Sequence, residues 1–270
     1  MKLGIVPVVC AAALAATLAA SAGCGGSRLA LPRDDPRYEF EYGRSEYTRK
    51  HWLEAQTHLK RFLDLHPGHA VADSAQYLLG MSKSGGGSFA EAAVEFGILA
   101  REFPRSPLRD DAAFQECRCY YEQMLPAALD PTFANRSMTC FREFLLRYPD
   151  SELRAAAEQQ MLDIDDRLAE KDLRVGILFA KMNQPAAAQV YLQGLLQAHP
   201  RSRWVPDALL WLGRSHERRG DLAQAVATYR QLLGSFPDSN AAREARARER
   251  SLVDRHPELR AGTADPPVQP

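Results

Sequence analysis

Three groupings of side chains in this 270-residue chain have types and spacings that chemistry uses. The acidic run Asp163, Asp165, Asp166, Glu170 and Asp172 offers carboxylates for paired acid–base work. On a helix these residues spread over several faces, with Arg167 and Lys171 interleaved, so a solvated face is the expected reading. His66 and His69 flank Pro67-Gly68 and could share a metal ion. No Cys or carboxylate stands at ligand spacing beside them, which leaves a solvated loop. Ser84-Gly85-Gly86-Gly87-Ser88 has the glycine content of a phosphate cradle. It lacks the Lys and the preceding strand of a phosphate loop and reads as a turn between two helices. No Ser/His/Asp order with a nucleophile elbow is present. The expectation is a non-enzymatic protein with no cofactor and no metal.

Cysteine chemistry depends on where the chain goes. Lys2, the apolar Ala-rich stretch from Leu3 to Ala20 and the small residues Ser21-Ala22-Gly23 read as an export signal over residues 1–23. Ser21-Ala22-Gly23-Cys24 resembles the bacterial lipobox, with Ser where that motif usually has Leu. The resemblance implies cleavage before Cys24 and its acylation, about two or three chains that would anchor the protein firmly. Gly25 stands where inner-membrane retention would call for Asp, which favours the outer membrane. Cys10 leaves with the signal, so Cys117, Cys119 and Cys140 remain in an oxidising compartment. Cys117 and Cys140 fall on consecutive predicted helices and could pair. Three thiols cannot all pair, and buried free cysteines are the preferred reading.

The elements behind these residues are helical. No alternating apolar run reads as a strand. Lys plus Arg and Asp plus Glu both total 34, so no global field argues for nucleic acid or an anionic bilayer surface. Residues 24–35 form a flexible tether, with the first helix starting at Asp34, Asp35 or Pro36. From Pro206 to Ser239 the chain has tetratricopeptide (TPR) spacing: Leu209, Leu212 and Gly213, a turn at Gly220, then Ala225, Tyr229, Leu232 and a closing Pro237. Gly213 and Ala225 are small enough for two helices to approach closely, and Pro237 stops the second helix. The same pattern closes at Pro67, Pro104, Pro149 and Pro200. The third unit carries an insertion from Leu125 to Ala134, and Glu152 to Lys181 reads as one long helix. One unit cannot bury its own apolar face, so the whole is expected to be an all-α, right-handed α-solenoid of about five TPR-like repeats over residues 36–240. Residues 241–256 read as a polar capping helix and 257–270 as a disordered tail.

Several stretches are more specific. Arg147-Tyr148-Pro149-Asp150-Ser151-Glu152, Arg167-Leu168-Ala169-Glu170-Lys171-Asp172, Phe179-Ala180-Lys181 with Ala186-Ala187-Ala188, Ala112-Ala113-Phe114 with Tyr120-Tyr121, and Leu129-Asp130 together resemble the BamD (ComL) family. The resemblance covers roughly Pro36 to Asn240. It implies a lipid-anchored scaffold on the periplasmic face of the outer membrane, part of the β-barrel assembly machinery. Implied partners are a BamA-like barrel subunit, other assembly-machinery lipoproteins, unfolded outer-membrane β-barrel substrates, and the membrane through the N-terminal lipid. Leu173 and Gly176-Ile177-Leu178 depart from the family, and Arg201 to Pro206 matches no familiar docking motif. The Phe236-Pro237-Asp238-Ser239 closure also occurs in periplasmic TPR adaptors such as the Tol–Pal coordinator, which is the alternative reading.

In a TPR superhelix the first helices line a concave groove that grips peptides. By repeat position the groove residues are Phe40, Arg44, Tyr47, Tyr77, Met81, Phe114, Arg118 and Tyr121, each of which could instead pack between repeats. Tyr suits an extended peptide with an aromatic end, and Arg could pair with its carboxylate. In the C-terminal half Arg203, Trp204, Asp207, Leu210, Arg214 and Arg218 form a candidate surface for docking a folded domain, with Trp204 expected to pack between repeats.

Overall fold

The structure, a computed structural model, describes residues 31–124 and 130–260. The expected signal, Cys24, the start of the tether, residues 125–129 of the insertion and residues 261–270 of the tail lie outside the described residues. Helices follow one another as α1 (Tyr38–Thr48), α2 (Trp52–Leu65), α3 (Ala72–Gly85), α4 (Phe89–Glu102), α5 (Arg109–Glu122), α6 (Thr132–Arg147), α7 (Arg154–Lys181), α8 (Pro185–Ala198), α9 (Val205–Arg219), α10 (Leu222–Ser235) and α11 (Asn240–Arg255). No strand occurs among the described residues. Each helix packs mainly on the next in sequence, the arrangement of an α-solenoid of helix pairs.

Proline sets the period. His66, Phe103, Tyr148, His199 and Phe236 end the second helix of each pair, and each directly precedes a closing Pro. Their ψ angles of 54–66° lie outside the helical region, which a residue before Pro must avoid. In four of the pairs the backbone turns left-handed just after the first helix, at Lys50, Gly87, Asn183 and Gly220. Gly220 does this after α9 at φ 82°, and Asn183 does it after α7 at φ 58°. At the N-terminus the first helix starts at Tyr38, later than expected, because Asp35 closes a turn instead. Its carboxylate accepts from the Arg37 backbone N–H at 2.8 Å.

One contact recurs down the array. Gly43, Gly80, Gly176 and Gly213 lie against Leu59, Phe96, Leu192 and Tyr229, and a Cβ on any of these glycines would collide with its partner side chain. All four partners are fully buried. The third unit differs. Cys117 stands 13 residues after Pro104, as Gly80 does after Pro67 and Gly213 after Pro200. Its sulfur is bonded to Cys140, beside the fully buried Phe141, with the two Cα atoms 5.3 Å apart. This corrects the expectation of three free thiols: the pairing depends on an approach of α5 to α6 that sequence spacing does not reveal. Only Cys119 is free among the described residues, and burial pushes its thiol up to about 12.

The long helix α7 joins two cores. Ala157 and Ile164 pack with Phe114, Phe141 and Phe144, while Ala169, Leu173 and Ala180 pack with Leu192, Leu209 and Tyr229. At the far end, Ser239 caps α11 by accepting from the Ala242 N–H at 3.2 Å. Pro257–Arg260, expected in a disordered tail, instead form a 3-10 turn. Arg230 holds it by donating to the Leu259 carbonyl at 3.2 Å.

Candidate binding groove

Three first helices, α1, α3 and α5, converge on a cavity of about 370 Å³. Tyr47, Met81 and Arg118 of the expected groove set line it. So do Trp52 and Phe89, the first residues of α2 and α4. A side chain at the start of a helix leans back over the preceding turn, which brings both rings to the first-helix face. Tyr47 and Trp52 meet with ring centroids 5.7 Å apart at 59°. Gly85 is where α3 passes Trp52, and a Cβ there would lie 3.0 Å from the indole. Arg118 is 44% exposed and sits 3.4 Å from Glu122, also on the cavity wall. The wall thus combines a large apolar aromatic surface with one guanidinium loosely held by a solvated carboxylate. That combination can take up an apolar ring and a nearby anionic group.

Other members of the groove set do different work. Phe40 and Phe114 are buried core residues, against Phe62 at 5.6 Å and Phe141 at 5.5 Å, and so are removed from the groove. Repeat position names the helix that lines the groove but not which of its faces turns inward. Arg44 lies over the Phe40 ring at 5.9 Å and pairs with Glu41 at 2.5 Å. Tyr77 packs on Phe96, and burial, then Asp111, raises its phenol. Tyr121 is a clamp between α5 and α7. Its hydroxyl donates to Asp163 at 2.5 Å and accepts from Arg167, whose guanidinium covers its ring at 4.6 Å. Burial, and then the hydrogen bond to Asp163, push its phenol up to about 12.

The acidic run on α7 is more than a solvated face. Asp163 holds Tyr121, Asp165 meets His199 Nδ1 at 2.6 Å, and Asp166 accepts from Ser202 Oγ at 2.7 Å and the Arg203 N–H at 2.9 Å. These carboxylates fasten α5 and the α8–α9 turn to α7. His66 and His69, expected in a solvated loop, rest against Phe62 at 5.6 and 5.4 Å. Among the described residues no cluster of three metal-ligating side chains occurs.

The C-terminal candidate surface divides. Leu210 is buried in the core. Arg218 donates to the Ala180 carbonyl and so caps α7. Arg214 lies over Trp211 at 4.0 Å and faces Glu244 at 3.6 Å. Arg203 covers Trp204 at 5.3 Å, and Trp204 packs on the core with its indole N–H buried and unpartnered among the described residues. Burial raises the Asp207 carboxyl.

A family model described as YfiO, outer membrane lipoprotein, matches residues 34–228. The chain is 24% identical to the outer membrane protein assembly factor BamD of Caulobacter vibrioides, over 84% of this chain and 76% of that protein. It is 23% identical to the factor of the same name from Neisseria meningitidis serogroup A, over 67% of this chain and 58% of that protein. Among solved structures, the TPR2AB domain of yeast Sti1 in a pHSP90 complex covers 83% of this chain and 86% of its own, at 11% identity and TM-score 0.42. A TPR repeats protein from Bacteroides fragilis covers 84% of this chain and 95% of its own, at 15% identity and TM-score 0.41.

Proposed function

Because the chain belongs to the YfiO family of outer membrane lipoproteins, we propose that it is a non-enzymatic scaffold of the outer-membrane β-barrel assembly machinery, held at the periplasmic face by a lipid on Cys24. The observation that carries the reading is the aromatic cavity across α1, α3 and α5. An extended segment of an unfolded barrel would lay an aromatic side chain against Trp52, Tyr47 and Phe89. Arg118 would exchange Glu122 for the segment's carboxylate. The C-terminal half would dock a BamA-like barrel subunit through Arg203, Asp207 and Arg214. No described helix is long and apolar enough to cross a membrane.

Pull-down from detergent-solubilised envelopes tests the assembly role, with Cys24→Ala as control. Recovery of a BamA-like subunit is expected. Recovery of Tol–Pal or cell-wall proteins without it would replace this reading with the adaptor one. Fractionation of Cys24→Ala with membranes as for the unaltered chain would overturn the lipid assignment. The groove has its own test. A labelled peptide ending in Phe should bind the purified chain, and Trp52→Ala with Arg118→Glu should weaken it by about tenfold or more, the scale of an aromatic anchor plus a charge pair. Anisotropy titration reads this, and equal affinity for both proteins would move the site elsewhere.

A further inference from the structure

Helix α11 begins beyond residue 228, the last that the family model matches. It carries Arg243, Arg246, Arg248, Arg250 and Arg255 against Glu244, Glu249 and Asp254. Most of these charges are sorted by face, while Asp254, exposed four residues after Arg250, meets Arg260 at 3.9 Å. Glu244 meets Arg248 at 2.7 Å and Arg214 of α9 at 3.6 Å. Glu249 meets Arg230 of α10 at 3.0 Å. Arg248 turns inward as well, to Glu217 at 3.4 Å. Arg243, Arg246, Arg250 and Arg255 remain, all exposed, and of these Arg255 donates to the Ser251 carbonyl at 3.1 Å. Arg243 reaches only the Asn240 side chain, at 2.6 Å, and neither Arg246 nor Arg250 has a carboxylate partner among the described residues.

Spacings of three and four place the guanidiniums of Arg243, Arg246 and Arg250 on one ridge, spanning about 10.5 Å of helix at 1.5 Å per residue. Like charges at this spacing repel, so the free helix bears a cost that an anionic partner would remove. Ala247 and Ser251, both small and exposed, lie beside the ridge and leave room for a second backbone. No large apolar side chain of α11 is exposed. A bilayer would therefore gain only the attraction of three charges, with nothing to insert. A carboxylate row on a helix matches both the interval and the fork geometry of Arg.

We infer that the outer ridge of α11 docks an acidic helix of a protein partner, with carboxylates at three- and four-residue spacing opposite Arg243, Arg246 and Arg250. The test places a photo-crosslinking benzoylphenylalanine at Ala247 of the full chain in intact envelopes and maps the joined peptide by mass spectrometry. The expected peptide is helical with carboxylates at that spacing. Crosslinking should fall about tenfold when Arg243, Arg246 and Arg250 are all replaced by Gln, a loss consistent with removing charge-assisted pairs. Thermal unfolding of the triple variant should be unchanged. Co-sedimentation with phosphatidylglycerol vesicles is the second arm. The proposal is overturned by crosslinks to lipid with vesicle binding, crosslinks to a second copy of this chain, a joined peptide without such carboxylates, crosslinking undiminished in the triple variant, or no joined protein.

Discussion

Replacing Tyr229 by Ala is expected to lower the unfolding free energy by about 3–5 kcal/mol, the range for truncating a large buried aromatic. Tyr229 is fully buried and belongs to the C-terminal core with Leu192, Leu209 and Leu232. Its ring occupies the space that a Cβ on Gly213 would need, so α9 cannot close over the void without shifting a whole helix. The hydroxyl donates to Glu217, which also faces Arg248 of α11 at 3.4 Å. Tyr229→Phe separates the two contributions. It keeps the ring and removes one hydrogen bond to a carboxylate, and should cost about 1.5–3 kcal/mol. Urea titration followed by far-ultraviolet circular dichroism measures both. A loss below about 1 kcal/mol for Tyr229→Ala, far under the range for such truncations, would mean that this pair of helices does not depend on the ring.

The second large effect is expected at the Cys117–Cys140 bond. The two residues are 23 apart in sequence. Closing a loop of that length restricts the unfolded chain by about 3 kcal/mol in the chain-entropy treatment. Cys140→Ser should lose that amount, and its denaturation midpoint should no longer respond to dithiothreitol. Cys119→Ser should keep the response, because its sulfur takes no part in the bond. The bond also replaces a packing device. Where neighbouring units press a glycine against Leu, Phe or Tyr, this unit has a cysteine side chain in the gap and ties α5 to α6 covalently. If the unaltered chain unfolds at the same urea concentration with and without reductant, the staple carries no stability.

Much of the solenoid was legible in the sequence because proline and glycine act locally. A closing Pro stops a helix whatever surrounds it, and the five prolines gave the period without any tertiary information. The long α7 was legible for the same reason, as a stretch with no Pro and no Gly except Gly176. The groove was less so. Met81 and Arg118 could be placed from repeat position, but Phe40 and Phe114 could not, since an aromatic on a first helix suits either the cavity or the core. Trp52 and Phe89 escaped because they belong to second helices. Their position just after each turn was the available signal. The α7 carboxylates were misread because a charge beside an Arg at four-residue spacing resembles solvated pairing. Only the fold brings Tyr121, His199 and Ser202 to them.

The shared helix α7 bears on how the array holds together under load. A string of hairpins that touch only their neighbours can fray from either end, each pair opening alone. Between Arg154 and Lys181 that independence is lost, because one unbroken rod of about 42 Å serves the aromatic core of the third unit at one end and the Tyr229 core at the other. A tilt of the N-terminal half is therefore expected to be passed to the C-terminal half through α7. In elastic terms the two cores share a single axle, so torque applied to one end of α7 is expected to reach the other.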